Sequence, residues 1–186
     1  KGIVKRAVVE VLSPGTAISP KYLIADENNF LGSFFIDRKN IGYSIIDNST
    51  GEFLCGITNH KDILNIIREY RLREIIIPSY QKDQLLNYVG TDLMVTTYDD
   101  WKSDYDNCYE KLLEQFKTKS LKGYGIENNK LLIVSSGACL FYLENNYFDK
   151  INHITSISHI VEDGYMRLDD FTLKNLEIIY YISLKE

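Results

Sequence analysis

Apolar and polar residues alternate with a period of two over three neighbouring segments near the start of the chain. Leu31 to Asp37 is rich in aromatic and β-branched residues. Ile41, Tyr43 and Ile45 then share one face of the run Ile41 to Asp47, and Phe53, Cys55 and Ile57 alternate with Leu54 and Gly56. Such alternation predicts strands. Arg38-Lys39-Asn40 and Asn48-Ser49-Thr50-Gly51 have the composition of turns between them, so the three form an antiparallel meander. The period then changes. Ile63, Ile66, Ile67 and Tyr70 stand at helical spacing in a helix starting near His60. Ile75-Ile76-Ile77, closed by Pro78, is an unbroken apolar run of the kind that makes a strand buried on both faces. Gln81 to Tyr88 predicts a short helix and Leu93 to Thr97 another strand. Tyr105, Cys108, Tyr109, Leu112, Leu113 and Phe116 give the clearest helical stripe, over 104–117, with Asp106, Asn107, Glu110, Lys111 and Glu114 on its solvent side. Asn128-Asn129 can cap a further helix running to about Glu144. That segment is apolar all round, with small residues at its middle (Ser135, Ser136, Gly137, Ala138, Cys139), as expected of a helix lying close against a sheet.

Three antiparallel strands followed by alternating helices and strands make an α/β chain of RNase H-like architecture. Right-handed crossovers place the Ile75 and Leu93 strands parallel in one sheet. Residues 1–12 read as a strand-like arm broken by Ser13-Pro14-Gly15-Thr16, and 17–29 as a polar linker. Residues 145–166 read as irregular, and Met166 to Asp170 opens another amphipathic helix through Phe171, Leu176, Ile178 and Ile179.

Composition narrows the function classes. The chain has 186 residues and a net charge of -5, which argues against autonomous nucleic-acid binding, a task that needs a clustered basic face. No apolar stretch reaches the ~18 residues of a membrane span. Cys55, Cys108 and Cys139 are odd in number and widely spaced, which suggests buried thiols in a reducing cytoplasm. Lys1 in place of an initiator Met, and an apolar run from Leu176 to Leu184 before Glu186, suggest a piece of a longer protein.

Four stretches, taken in order, carry a resemblance. They are Lys1 to Arg6 leading into Val8 to Thr16; Asn28-Asn29-Phe30-Leu31 with Asp47-Asn48-Ser49-Thr50-Gly51-Glu52-Phe53; Phe116 to Asn128; and Met166-Arg167-Leu168-Asp169 with Thr172 and Asn175-Leu176-Glu177. In this order they resemble the MutS family of bacterial DNA mismatch-repair proteins. The resemblance implies the tail of a mismatch-binding domain over 1–16, a whole RNase H-like connector domain over 17–146, and a linker with the start of a lever/core domain over 147–186. It implies a non-catalytic connector that passes conformational change between the mismatch-binding domain and the lever and ATPase, with an articulation at Ser13, Pro14, Gly15 and Thr16. It also implies a docking surface for MutL on the 104–117 helix, where Glu110 and Lys111 are the candidate contacts, although neither is the neutral amide expected there. The complete protein would be a cytoplasmic, homodimeric, DNA-dependent ATPase using ATP and Mg, meeting mismatched DNA through other domains.

The candidate chemistry within the chain is sparse. None of the eight Phe has Glu two residues later, so the family's Phe-x-Glu mismatch reader is missing, as is any G-x-x-x-x-G-K-[ST] phosphate loop. No cofactor is therefore expected here. An RNase H-like fold raises the alternative of a metal-dependent nuclease or resolvase, for which Asp37, Asp47 and Glu69 are the available acids. Two-metal cleavage needs carboxylates that converge, and the Ile75 strand ends in Pro78-Ser79 without one. Asp99, Asp100, Asp104 and Asp106 lack the Gly and Glu of a calcium loop and read instead as acids at a helix start. His153 and His159 have no Cys or third His beside them to complete a zinc site. Gly123-Tyr124-Gly125 reads as a tight loop rather than a phosphate cradle, and Trp101 as a packed residue rather than a base-stacking one.

Overall fold

The meander forms with tight connections. In the computed structural model, which describes residues 30–90, 93–147 and 151–161, β1 (Phe30–Asp37) pairs antiparallel with β2 (Asn40–Asp47), and β2 with β3 (Glu52–Asn59). Arg38 turns the first hairpin with a φ of 55°, and Gly51 the second with a φ of 79°. At that second turn, Asp47 accepts hydrogen bonds from both the backbone N–H and the hydroxyl of Ser49, at 2.7 and 2.6 Å.

The helix expected near His60 begins later, as α1 (Ile63–Glu69), because Asn59 folds the preceding residues into a turn. Its side-chain oxygen accepts from the N–H groups of Lys61 and Asp62 at 2.8 and 3.3 Å. The chain crosses to β4 (Glu74–Pro78), parallel to β1, then through α2 (Lys82–Val89) to β5 (Met94–Tyr98), parallel to β4. A single 3-10 turn, Asp100–Ser103, leads into α3 (Tyr105–Phe116), and α4 (Lys130–Tyr147) follows. Asn129 caps α4, its side-chain oxygen accepting from the N–H groups of Leu131 and Leu132.

Residues 145–166 are not irregular throughout. α4 continues to Tyr147, and Ser158–Ile160 form β6, which pairs parallel with β3. The sheet therefore has six strands in the order β5-β4-β1-β2-β3-β6. Three residues carry too little alternation to announce a strand; β6 exists because the segment before it is anchored. Ile151, Ile154 and Ile157 are buried in the core, and the Nε2–H of His153 donates to the carbonyl of Asn48 at 2.7 Å.

Period-two alternation assigns the two faces. Phe34, Tyr43, Ile45, Ile75 and Ile77 face α1 and α2; Leu31, Phe35, Ile46, Phe53, Cys55 and Ile76 face α3 and α4. The small residues of α4 seat it against the sheet. A Cβ at Gly42 on β2 would lie 2.4 Å from the carbonyl oxygen of Leu131, so only glycine admits the helix there. Further along, the Ser44 hydroxyl is 3.0 Å from that of Ser135 and 2.7 Å from that of Ser136, all fully buried, so the seam includes mutually satisfied polar groups.

Candidate docking surface

α3 carries the candidate surface, and its local sequence determines which side faces water. Asp104 caps it, accepting from the N–H groups of Asp106 and Asn107 at 3.1 and 3.2 Å. Lys117, with a φ of 51°, ends it in the left-handed conformation. Cys108, Leu112 and Phe116 are buried against the core. Asp106, Asn107, Glu110 and Glu114 are exposed, as their spacing predicts.

Lys111 departs from that expectation. It is buried, with 8% of its surface accessible, and its ammonium donates to the carboxylate of Glu144 on α4 at 2.7 Å. The same ammonium lies 5.8 Å from the centre of the Phe141 ring and 3.9 Å from Glu114. Position 111 borders the apolar stripe, so the lysine stem joins the packing while its charge reaches an acid on the neighbouring helix. Of the two candidate contacts, Glu110 stands in the open and Lys111 is an internal strut between helices.

Trp101 also departs from expectation. It packs edge-on against Phe141 with ring centres 5.4 Å apart, yet 54% of its surface is exposed. The turn that bears it is tied to α3: Asn107 donates from its side-chain amide to the carbonyl of Trp101 at 3.2 Å, and the Cys108 thiol to that of Lys102 at 3.1 Å. Lys102 is turned back over the indole, 5.4 Å from its centre, and lies 3.9 Å from Asp99. No pattern in the sequence marks this exposure, because it depends on how the 100–103 turn is tied to α3.

The acids considered for a nuclease do not converge. Asp37 ends β1 and Asp47 ends β2, and since these strands are antiparallel the two sit at opposite ends of the sheet. Glu69 is exposed on α1. Glu74, which no periodicity singles out, is a fully buried carboxylate at the start of β4 that accepts from Tyr142 at 2.7 Å and Thr96 at 2.9 Å. Among the described residues no group of three or more His, Cys, Asp or Glu is placed to share a metal ion.

A carboxylate holds the residue that precedes the 122–125 turn. Glu127 accepts from the hydroxyl of Tyr109 at 2.9 Å and from the N–H of Leu121, so a negative charge already stands in front of α4. The three thiols are buried; burial pushes Cys55 and Cys108 up to about 12 and raises Cys139 further still, so none is primed as a nucleophile. No helix among the described residues is long and apolar enough to cross a membrane. Ser13, Pro14, Gly15 and Thr16, the expected articulation, lie outside the described residues, as does the helix expected from Met166.

Comparison with known proteins agrees with the fold. The family described as MutS domain II matches residues 21–155. Proteins named "DNA mismatch repair protein MutS" from Flavobacterium johnsoniae and Flavobacterium psychrophilum are 38% and 39% identical over 180 residues, which is 97% of this chain and 21% of each relative. The protein of the same name from Parabacteroides distasonis is 36% identical over 179 residues, 96% of this chain and 21% of its own length. The chain thus spans about a fifth of the curated relatives it matches.

Proposed function

Because this chain belongs to the MutS domain II family of mismatch-repair proteins, we propose that it is the connector of a larger mismatch-repair ATPase. It breaks no bonds itself. It carries conformational change between a mismatch-binding domain before it and the lever and ATPase after it, and it offers a docking surface for MutL. On this reading the articulation lies at Ser13 to Thr16, and ATP and Mg act elsewhere in the complete protein, which dimerises and meets mismatched DNA through its other domains.

One observation carries the mechanical part. The sheet is packed on both faces, and α3 and α4 are joined across their seam by the Lys111–Glu144 pair. A block built this way moves as a unit, so its two packings against its neighbours can be the states that nucleotide and DNA select between.

Replacing residues 21–155 of the complete protein by a flexible linker tests this. ATP hydrolysis without DNA should persist while its response to a mismatch is lost; a full mismatch response in that variant would refute the connector role. The nuclease alternative is tested by incubating the chain with Mg²⁺ or Mn²⁺ and branched or hybrid duplexes. Uncut substrate is the expected result, and metal-dependent cleavage would overturn the non-catalytic reading.

A further inference from the structure

The segment 99–116 holds six carboxylates against two lysines, and so four of the chain's five net negative charges. The fold sharpens this imbalance. Lys111 is buried against Glu144, and the Lys102 side chain is only 12% exposed, folded over Trp101 and towards Asp99. Asp99, Asp100, Asp104, Asp106, Glu110 and Glu114 all remain exposed. Both cations are thus turned inward, and the outer potential of this ridge is negative.

Beside the ridge stands the exposed indole of Trp101, its ring against Phe141 and its backbone carbonyl held by the Asn107 side-chain amide. A half-covered tryptophan at the edge of a charged ridge supplies the two things a protein interface needs: a large rigid anchor and a field that selects the partner. The indole already receives one ammonium, that of Lys102, 5.4 Å from the ring centre, and this is the kind of charge a partner would bring to it. Nucleic acid is disfavoured here by its own phosphates.

We propose that Trp101 and the Asp100–Glu110 ridge form the seat for an arginine- or lysine-bearing segment of the docking partner. This rests on the MutL-docking part of the function proposed above, and adds which residues anchor the partner and what chemistry it must present. Trp101 sets how long the complex lasts; the acids set how quickly it forms. Lys111 touches no partner and keeps α3 and α4 in place.

The test is biolayer interferometry of the full-length protein in ATP over immobilised MutL, across a salt series. Trp101→Ala should weaken binding about tenfold, mostly through faster dissociation, while Trp101→Phe should bind within about threefold of the unsubstituted protein because the ring is kept. The double change Asp100→Lys with Glu110→Lys should slow association about tenfold at low salt and flatten its salt dependence. If the unsubstituted protein does not bind MutL, the docking part of the proposed function fails. If it binds and neither variant differs from it, docking stands and this surface is wrong. Loss on Trp101→Ala with association unchanged in the double variant would overturn the cationic partner.

Discussion

Gly137 on α4 has no side chain because Cys108 on α3 occupies the place one would take. A Cβ there would lie 2.4 Å from the Cys108 Cβ and 2.6 Å from its Cα, so the backbone itself stands in the way. Gly137→Ala should therefore destabilise the chain by about 1–3 kcal/mol, read from urea unfolding, despite alanine's better helix propensity. The thiols give a pH prediction. Cys55 and Cys108 are raised from 9.0 to about 12 by burial, so the folded state keeps protons that the unfolded state releases. Stability should hold below about pH 9 and decline as pH rises from there towards 12. At pH 8 a thiol reagent should label the cysteines only as fast as the chain opens; immediate labelling would contradict their burial. Lys111 marks the limit of reading residues one helix at a time. Spacing within α3 puts it at the margin of the polar face, but its partner Glu144 lies 33 positions later on another helix. Lys111→Glu should cost about 1–3 kcal/mol, since it sets like charges together beside the half-exposed Glu144 carboxylate, while Lys111→Met should cost far less. Equal losses in urea for the two would show that the ion pair is not what matters.

At the scale of elements, strands and helices with strong periodicity were legible in advance. The Ile75-Ile76-Ile77 run, the meander, and the stripe on α3 each owe their form to burial that the sequence pattern records directly. The last strand was not legible, because β6 is made by docking on β3 rather than by its own alternation. Its anchor is also what makes it necessary. Ile151, Ile154 and Ile157 are each under 5% exposed, and burying such a side chain contributes about 1.5–3 kcal/mol. A chain stopped after Tyr147 should lose a large share of a typical domain's ~5–15 kcal/mol and melt far lower or fail to fold. Calorimetry on the two lengths checks this; equal melting temperatures would show that the segment merely rests on the surface. The candidate surface was half legible for the same reason. The exposure of Glu110 follows from helical period, whereas that of Trp101 follows from how the 3-10 turn is tied to α3.

In the molecule as a whole, protection should grade across the sheet. β1, β2 and β4 lie inside it and bury residues on both faces, while β5 and β6 are its outer strands among the described residues. Amide hydrogen exchange should be slowest in Leu31–Ile36, Ile41–Ile46 and Ile75–Ile77 and faster in β5 and β6. Uniform exchange would mean that the sheet opens all at once. The direction of the strands has a mechanical outcome. β1 and β3 run the same way, and β6 runs with β3, so the described polypeptide enters at one end of the sheet, at Phe30, and heads towards the other at Ile160. Tension applied between these points loads the β1 ladders and the short β3–β6 ladder sideways instead of peeling their hydrogen bonds singly. Such shear loading resists pulling, as the connector role proposed above would require.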